Sequence, residues 1–229
     1  TCTRLGLKGV PVCAETLSLV TLLRIAEMTN ARLHLCRLSS LESVDIVREA
    51  KKQGLRITAD VGIHYLHLTD LDVGAFNTNC KASPPFRGQR DRDALTEGLL
   101  DGTIDFICSD HTPVDIEEKT LPFSEAAEGQ TGTELLLPLT LSWAKRHKIE
   151  MHEALNFISN RPATILNKNI SKVEEGAVAN VTVFGMNDSW IVEDQTLLSQ
   201  GKNSPFLGYE MHGKVHATIM NGRLVFSKD

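Results

Sequence analysis

Ile104-Asp105-Phe106-Ile107-Cys108-Ser109-Asp110-His111-Thr112-Pro113 is the stretch that decides the fold class of this chain. An apolar run with no strict alternation passes directly into a polar turn that carries a carboxylate and an imidazole. A strand that is apolar on both faces suits a parallel sheet covered on both sides. In such sheets reactive groups gather beyond the carboxyl ends of the strands, where Asp110 and His111 stand. The same pattern recurs upstream. Residues 91–100 read as a helix stopped by Asp101-Gly102, and 55–61 as a strand. Residues 39–53 read as a helix, with Ser39 and Glu42 at capping-box spacing and Gly54 as its stop. Residues 32–38 form a short β-like run. Residues 15–29 place Leu19, Leu22, Leu23 and Ala26 on one helical face, and 9–12 reads as a further strand. Strands that alternate with helices through short turns predict right-handed βαβ units.

The second half changes character. Residues 134–147 and 151–159 read as helices. Residues 179–184 and 214–226 are β-rich, and the latter contain Asn221-Gly222, a type I′ hairpin signal. The expected division is a (β/α) part over 1–165 and a small β segment with the tail over 166–229, joined through 161–175. An eight-stranded (β/α) barrel takes about 250 residues. About four parallel strands therefore suit either the later part of such a barrel or a small doubly wound sheet. Periodicity leaves both open.

The 229 residues carry 24 Lys and Arg against 29 Asp and Glu, a formal charge of −5, with no basic block. That balance argues against a nucleic-acid surface. No apolar run approaches the roughly 18 residues of a spanning helix, so no membrane partner is expected. Five cysteines at 2, 13, 36, 80 and 108 are scattered and odd in number, which fits free, buried thiols in a reducing, cytoplasmic setting. Nothing matches a phosphate-cradling loop or a nucleophile elbow.

Four segments at strand ends can carry chemistry. A carboxylate at a strand tip, Asp110, can bind a metal and take a proton from metal-bound water. The ordinary alternative is that it caps the turn while His111 packs. His64, after the strand 55–61, can serve as an imidazole ligand or as a structural residue. His67 reads as structural. The segment Lys81-Ala82-Ser83-Pro84-Pro85-Phe86-Arg87 sets two cations around a stiff Pro-Pro, and the Arg87 fork suits a carboxylate. Arg37 can meet an anion or form a salt bridge. Glu117-Glu118-Lys119 reads as a solvated loop, and residues 129–132 as a turn or mobile loop.

In this order, the strand ends resemble the later two-thirds of a dihydroorotase, a metal-dependent cyclic amidohydrolase. The resemblance rests on Leu5-Gly6-Leu7-Lys8-Gly9-Val10-Pro11 with Ala14-Glu15, the segment from Lys81 to Arg87, Glu97-Gly98-Leu99-Leu100-Asp101-Gly102-Thr103-Ile104-Asp105, Ser109-Asp110-His111-Thr112-Pro113, and Asn203-Ser204-Pro205-Phe206-Leu207-Gly208. It implies a (β/α)8 TIM-type barrel with a small β domain near the C-terminus, and an N-terminal third of the full protein that lies outside this sequence. The implied reaction is reversible closure of N-carbamoyl-L-aspartate to dihydroorotate in pyrimidine biosynthesis, with zinc as the expected cofactor. Asp110 and His64 match metal-binding positions of the family, and Ser83 and Arg87 fall in the substrate segment.

The departures fall where metal and substrate belong. Arg37 stands at an expected zinc-binding His, Val114 at a substrate-contacting His, and Ser83 at an Asn. Ile63 and Tyr65 flank His64 in place of the family's Pro and second His. A guanidinium has no lone pair to give zinc, and its charge repels a dication. Two remaining ligands fall short of the usual three plus an open position. The pattern therefore resembles the non-catalytic dihydroorotase-like proteins that support aspartate transcarbamoylase, and on that reading this chain is expected to bind no catalytic zinc. The alternatives are an active zinc dihydroorotase completed by upstream ligands, or a cyclic amidohydrolase of another ring substrate such as a hydantoin. Expected partners are aspartate transcarbamoylase and either a companion N-terminal segment or a second copy. Arg37 is expected within salt-bridge reach of Asp110.

Overall fold

The computed structural model describes residues 1–168, 170 and 172–228. Two compact units emerge, one of residues 1–136 with 198–205, the other of 137–197 with 206–229.

The first unit opens with a short helix α1 (Cys2–Leu5) and a long α2 (Cys13–Thr29). The expected strand at 9–12 is not formed. Pro11 offers no backbone donor to a ladder, and its carbonyl instead accepts from Ala14 N at the start of α2. On α2, Leu19, Leu23 and Ala26 are buried as expected, whereas Leu22 is exposed. β1 (Leu33–Leu35) leads to α3 (Leu41–Lys52), then β2 (Ile57–Gly62), α4 (Gln89–Leu100), β3 (Phe106–Cys108) and a short α5 (Ile116–Thr120).

β1, β2 and β3 pair in parallel in sequence order, with Leu33 opposite Ile57 and Asp60 opposite Phe106. A doubly wound sheet reverses its strand order at a switch point, whereas consecutive barrel strands do not. Three strands in sequence order fit a barrel segment, and one half of a doubly wound sheet as well. Ala59, Val61 and Ile63 from β2 and its exit are fully buried on one face with Val44, Val47 and Ile104, while Thr58 and Asp60 alternate onto the other face.

The cap of α3 lies one residue later than the sequence suggests. Ser40, not Ser39, is extended, and its hydroxyl accepts from Ser43 N at 3.2 Å. Ser39 instead donates its hydroxyl to Glu15. Ser40→Ala is expected to cost about 1 kcal/mol, read as a lower urea midpoint with unchanged slope. Gly54 follows the helix with φ 83°, in the left-handed region where glycine pays no side-chain penalty.

The second unit contains α6 (Leu136–His147, whose first residue belongs to the first unit), α7 (Met151–Ile158), α8 (Asn160–Ile165), and an antiparallel sheet of β4 (Val181–Ile191), β5 (Glu210–Met220) and β6 (Arg223–Ser227). Trp143 and Phe157 are fully buried and meet edge to face, 5.7 Å apart. The β5–β6 turn has Asn221 at φ 51° and Gly222 at φ 75°, the two positive values a type I′ turn needs. Residues 169 and 171, in the stretch read as a joint, lie outside the described residues.

Candidate active site at the strand ends

Arg37, His64 and Asp110 each stand two residues beyond the carboxyl end of β1, β2 and β3, so the parallel register brings three distant positions to one end of the sheet. Arg37 (φ 59°) and Asp110 (φ 45°) both adopt the left-handed conformation. For residues with a Cβ this costs roughly 1–2 kcal/mol and is held only by surrounding contacts. For Arg37 those contacts come from Asp60. Its carboxylate accepts from Arg37 N at 2.7 Å, and its carbonyl accepts from Leu38 N at 3.0 Å.

The Arg37 guanidinium reaches across the strand ends. Its Nη1 donates to the Ser83 carbonyl at 3.1 Å and to Asp110 Oδ1 at 3.3 Å. The ion pair expected from the sequence is therefore present. The Asp110 side chain is 9% exposed and that of Arg37 43%. Burial pushes the Asp110 carboxyl above its ordinary range, and the charge and hydrogen bond of Arg37 only partly offset this. Burial alone would loosen the Arg37 proton, but Asp110 tightens it.

His64 is fully buried, and its pKa is pushed down to about 4, chiefly by burial, with a backbone hydrogen bond to Thr131 opposing and nearby His111 adding to the fall. A Cβ on Gly132 would collide with the Ser109 carbonyl oxygen and sit 2.8 Å from His64 Cε1, so the glycine lets the chain pass close to both the Ser109 backbone and the ring. Residues 129–132 are thus no mobile loop: Gln130 and Thr131 are buried. His111 Nδ1 accepts from Gly132 N at 3.1 Å and Thr133 N at 3.3 Å, which fixes that nitrogen as the unprotonated one.

Arg87 does not present a free fork to an anion. It donates to the Val10 carbonyl and to Ser39 Oγ at 3.3 Å, and it lies 3.8 Å from Glu15. Ser83 enters through its backbone carbonyl, and Val114 N donates to Asn203 Oδ1 at 2.9 Å. Lys119, read as solvated, is buried and donates to the carbonyls of Thr78 and Ala127. Of the five free cysteines only Cys80 is fully buried, against the expectation of buried thiols. Tyr65, read from the sequence only as a replacement for a family His, is buried, donates its hydroxyl to the Pro84 carbonyl and packs edge-on against Phe86.

A cavity of about 1040 Å³ includes Arg37, Ser83, Arg87 and Glu15 in its wall, but neither His64 nor Asp110. A catalytic zinc of the kind implied by the resemblance needs about three protein donors and an open position. In this chain Asp110 Oδ1 faces a guanidinium, Arg37 has no lone pair, and the His64 ring is closed over by Gly132. These residues do not fit that ion.

Residues 13–225 match the amidohydrolase family. The chain is 41% identical over 227 residues to a dihydroorotase of Syntrophus aciditrophicus, covering 99% of this chain and 53% of that protein. It thus spans about half the length of the curated relatives it matches. An L-hydantoinase (dihydropyrimidinase) from Arthrobacter aurescens superposes with a TM-score of 0.87 at 24% identity, over 95% of this chain and 50% of that one. An inactive dihydroorotase-like domain of a Chaetomium thermophilum CAD-like multifunctional protein superposes with a TM-score of 0.67 at 19% identity, over 90% and 54%. At these identities the structural likeness speaks for the fold, which is the later part of a (β/α)8 barrel with a small β unit.

Proposed function

Because the chain belongs to the amidohydrolase family, we propose that it is part of a dihydroorotase-like protein of pyrimidine biosynthesis whose hydrolytic centre has decayed, and which acts in the cytoplasm as a structural partner of aspartate transcarbamoylase. One observation carries the reading: the Arg37 guanidinium lies 3.3 Å from Asp110 Oδ1, on the oxygen that would otherwise meet a metal or a proton. Such a pair neutralises a largely buried carboxylate without adding much stability, since desolvation offsets the attraction. A site released from catalysis tolerates that exchange, while an assembly partner needs only its folded surface. The Chaetomium domain, on the same fold, is described as inactive.

A second reading is an active zinc dihydroorotase completed by residues outside this chain. The 41% identity to a dihydroorotase favours it. Purified full-length protein with added zinc is assayed in both directions, closing carbamoyl-aspartate and opening dihydroorotate. The expected result is no turnover above that of Asp110→Ala. Turnover that Asp110→Ala removes would establish the second reading. Co-elution with aspartate transcarbamoylase catalytic chains, as a complex larger than either alone, tests the structural role; separate elution would overturn it.

A further inference from the structure

Beneath the strand-end residues, toward the middle of the sheet, lies a different set of donors. His34 and Cys36 are two apart on β1 and its exit, so they project to one face, as do Thr58 and Asp60 on β2. The register places His34 opposite Thr58. Ligand atoms of His34, Cys36 and Asp60 all lie within 4.8 Å of one another. The geometry points to a binding site for a thiophilic divalent cation of the Zn²⁺ class, held by His34 Nε2, Cys36 Sγ and Asp60 Oδ2, and distinct from the strand-end position occupied by Arg37.

The surrounding contacts suit that role. Asp60 Oδ1 is held by Arg37 N at 2.7 Å and by the Cys108 thiol at 3.4 Å, while Oδ2 is turned toward His34 Nε2 at 2.9 Å. His34 Nδ1 lies 2.8 Å from Thr58 Oγ1, and the ring stacks on Phe106, 5.2 Å away and 4° from parallel. Donating the Nδ1 proton to Thr58 leaves a lone pair on Nε2, the second-partner arrangement that orients metal-bound imidazoles. Imidazole, thiolate and carboxylate are all zinc ligands, and at bonds of about 2.0–2.3 Å they sit roughly 3.3–3.8 Å from one another in a tetrahedron. The His34–Asp60 contact has to open by about half an ångström, and the exposed Cys36 side chain has to swing inward. One thiolate and one carboxylate together balance the charge of a dication, and the Cys36 thiol proton passes to solvent on binding. The Arg37 charge opposes the ion, but its guanidinium is directed to Asp110 and Ser83. His34 and Cys36 both line the large cavity, and in a zinc site of this kind a fourth position belongs to water or a ligand.

This site does not depend on whether the protein turns over a cyclic amide. Cobalt is the probe, added to reduced full-length protein and followed by the thiolate-to-metal absorption in the near ultraviolet, with zinc added in competition. Expected are about one cobalt per chain with that band, its loss on addition of zinc, and its loss in both Cys36→Ser and Cys36→Ala. Zinc affinity should fall at least about tenfold in those variants, the scale set by perturbing a ligand shell. Asp110→Ala should leave band and affinity in place. No bound ion, a band that survives both Cys36 substitutions, or binding abolished by Asp110→Ala rather than by the Cys36 variants would each overturn the assignment.

Discussion

Asn203→Ala is expected to lower unfolding stability by about 3–4 kcal/mol, the sum of several buried groups left without partners. The reason is the density of its contacts. Asn203 is 4% exposed, and its amide faces four polar partners. Nδ2 donates to the carbonyls of Thr112 and Gly129, each at 3.0 Å. Oδ1 accepts from Val114 N at 2.9 Å and lies 3.1 Å from Thr131 Oγ1, whose single proton it shares with the Gly201 carbonyl at 2.8 Å. One side chain thus ties the segment after Asp110-His111 to the segment that covers His64. Removing it orphans buried backbone groups and leaves a cavity as well. Asn203→Asp should fare no better, because it sets a carboxylate oxygen against the same two carbonyls. Urea unfolding followed by circular dichroism is the measurement, with a lower midpoint at unchanged slope expected. A loss under about 1 kcal/mol would mean that water replaces these bonds.

Acid should destabilise the protein through His64 by about 3 kcal/mol between pH 6.5 and 4, at 1.36 kcal/mol for each unit by which the pKa is shifted. In the folded chain its pKa is pushed down to about 4, first by complete burial, while an unfolded histidine titrates near 6.5. Between those values the unfolded chain binds the extra proton and the folded chain does not. Stability therefore rises with pH across the window, is fully present above about 6.5, and is lost as pH falls through it. His64→Gln and His64→Leu remove this term, whatever their own cost at neutral pH. The stability difference between wild type and either variant should shrink by about 3 kcal/mol on going from pH 7 to 4. A difference that stays constant with pH would show that His64 titrates normally, and hence that the cover over it opens readily.

Much of the local structure is legible in the residues, and the failures have particular causes. The stop at Gly54 and the turn at Asn221-Gly222 follow from backbone conformations that few residues adopt cheaply. The boundaries of α2, α3 and α4 lie within two residues of the reading from apolar spacing. Lys119 deceived because its neighbours are charged, whereas its fate is set by two carbonyls far away or across a turn, those of Thr78 and Ala127. Segment 129–132 looked loose because glycine signals flexibility, yet Gly132 is there for close approach to the Ser109 carbonyl and to His64. The cap of α3 moved to Ser40 because Glu15, on another helix, takes the Ser39 hydroxyl.

The sequence alone determined that strands and helices alternate over the first half, that a hairpin closes the second, and that a permanently charged guanidinium stands at residue 37. These follow from periodicity, turn chemistry and side-chain identity, which act over a few residues. What the Arg37 charge does was decided only by the tertiary structure. Its contact with Asp110 spans 73 positions and its backbone contact with Asp60 spans 23. The burial of His64 under Gly132, and the meeting of His34, Cys36 and Asp60, are likewise set by strand register and loop closure. Such contacts depend on which strand lies beside which and at what offset, and side-chain spacing within one segment carries no record of that.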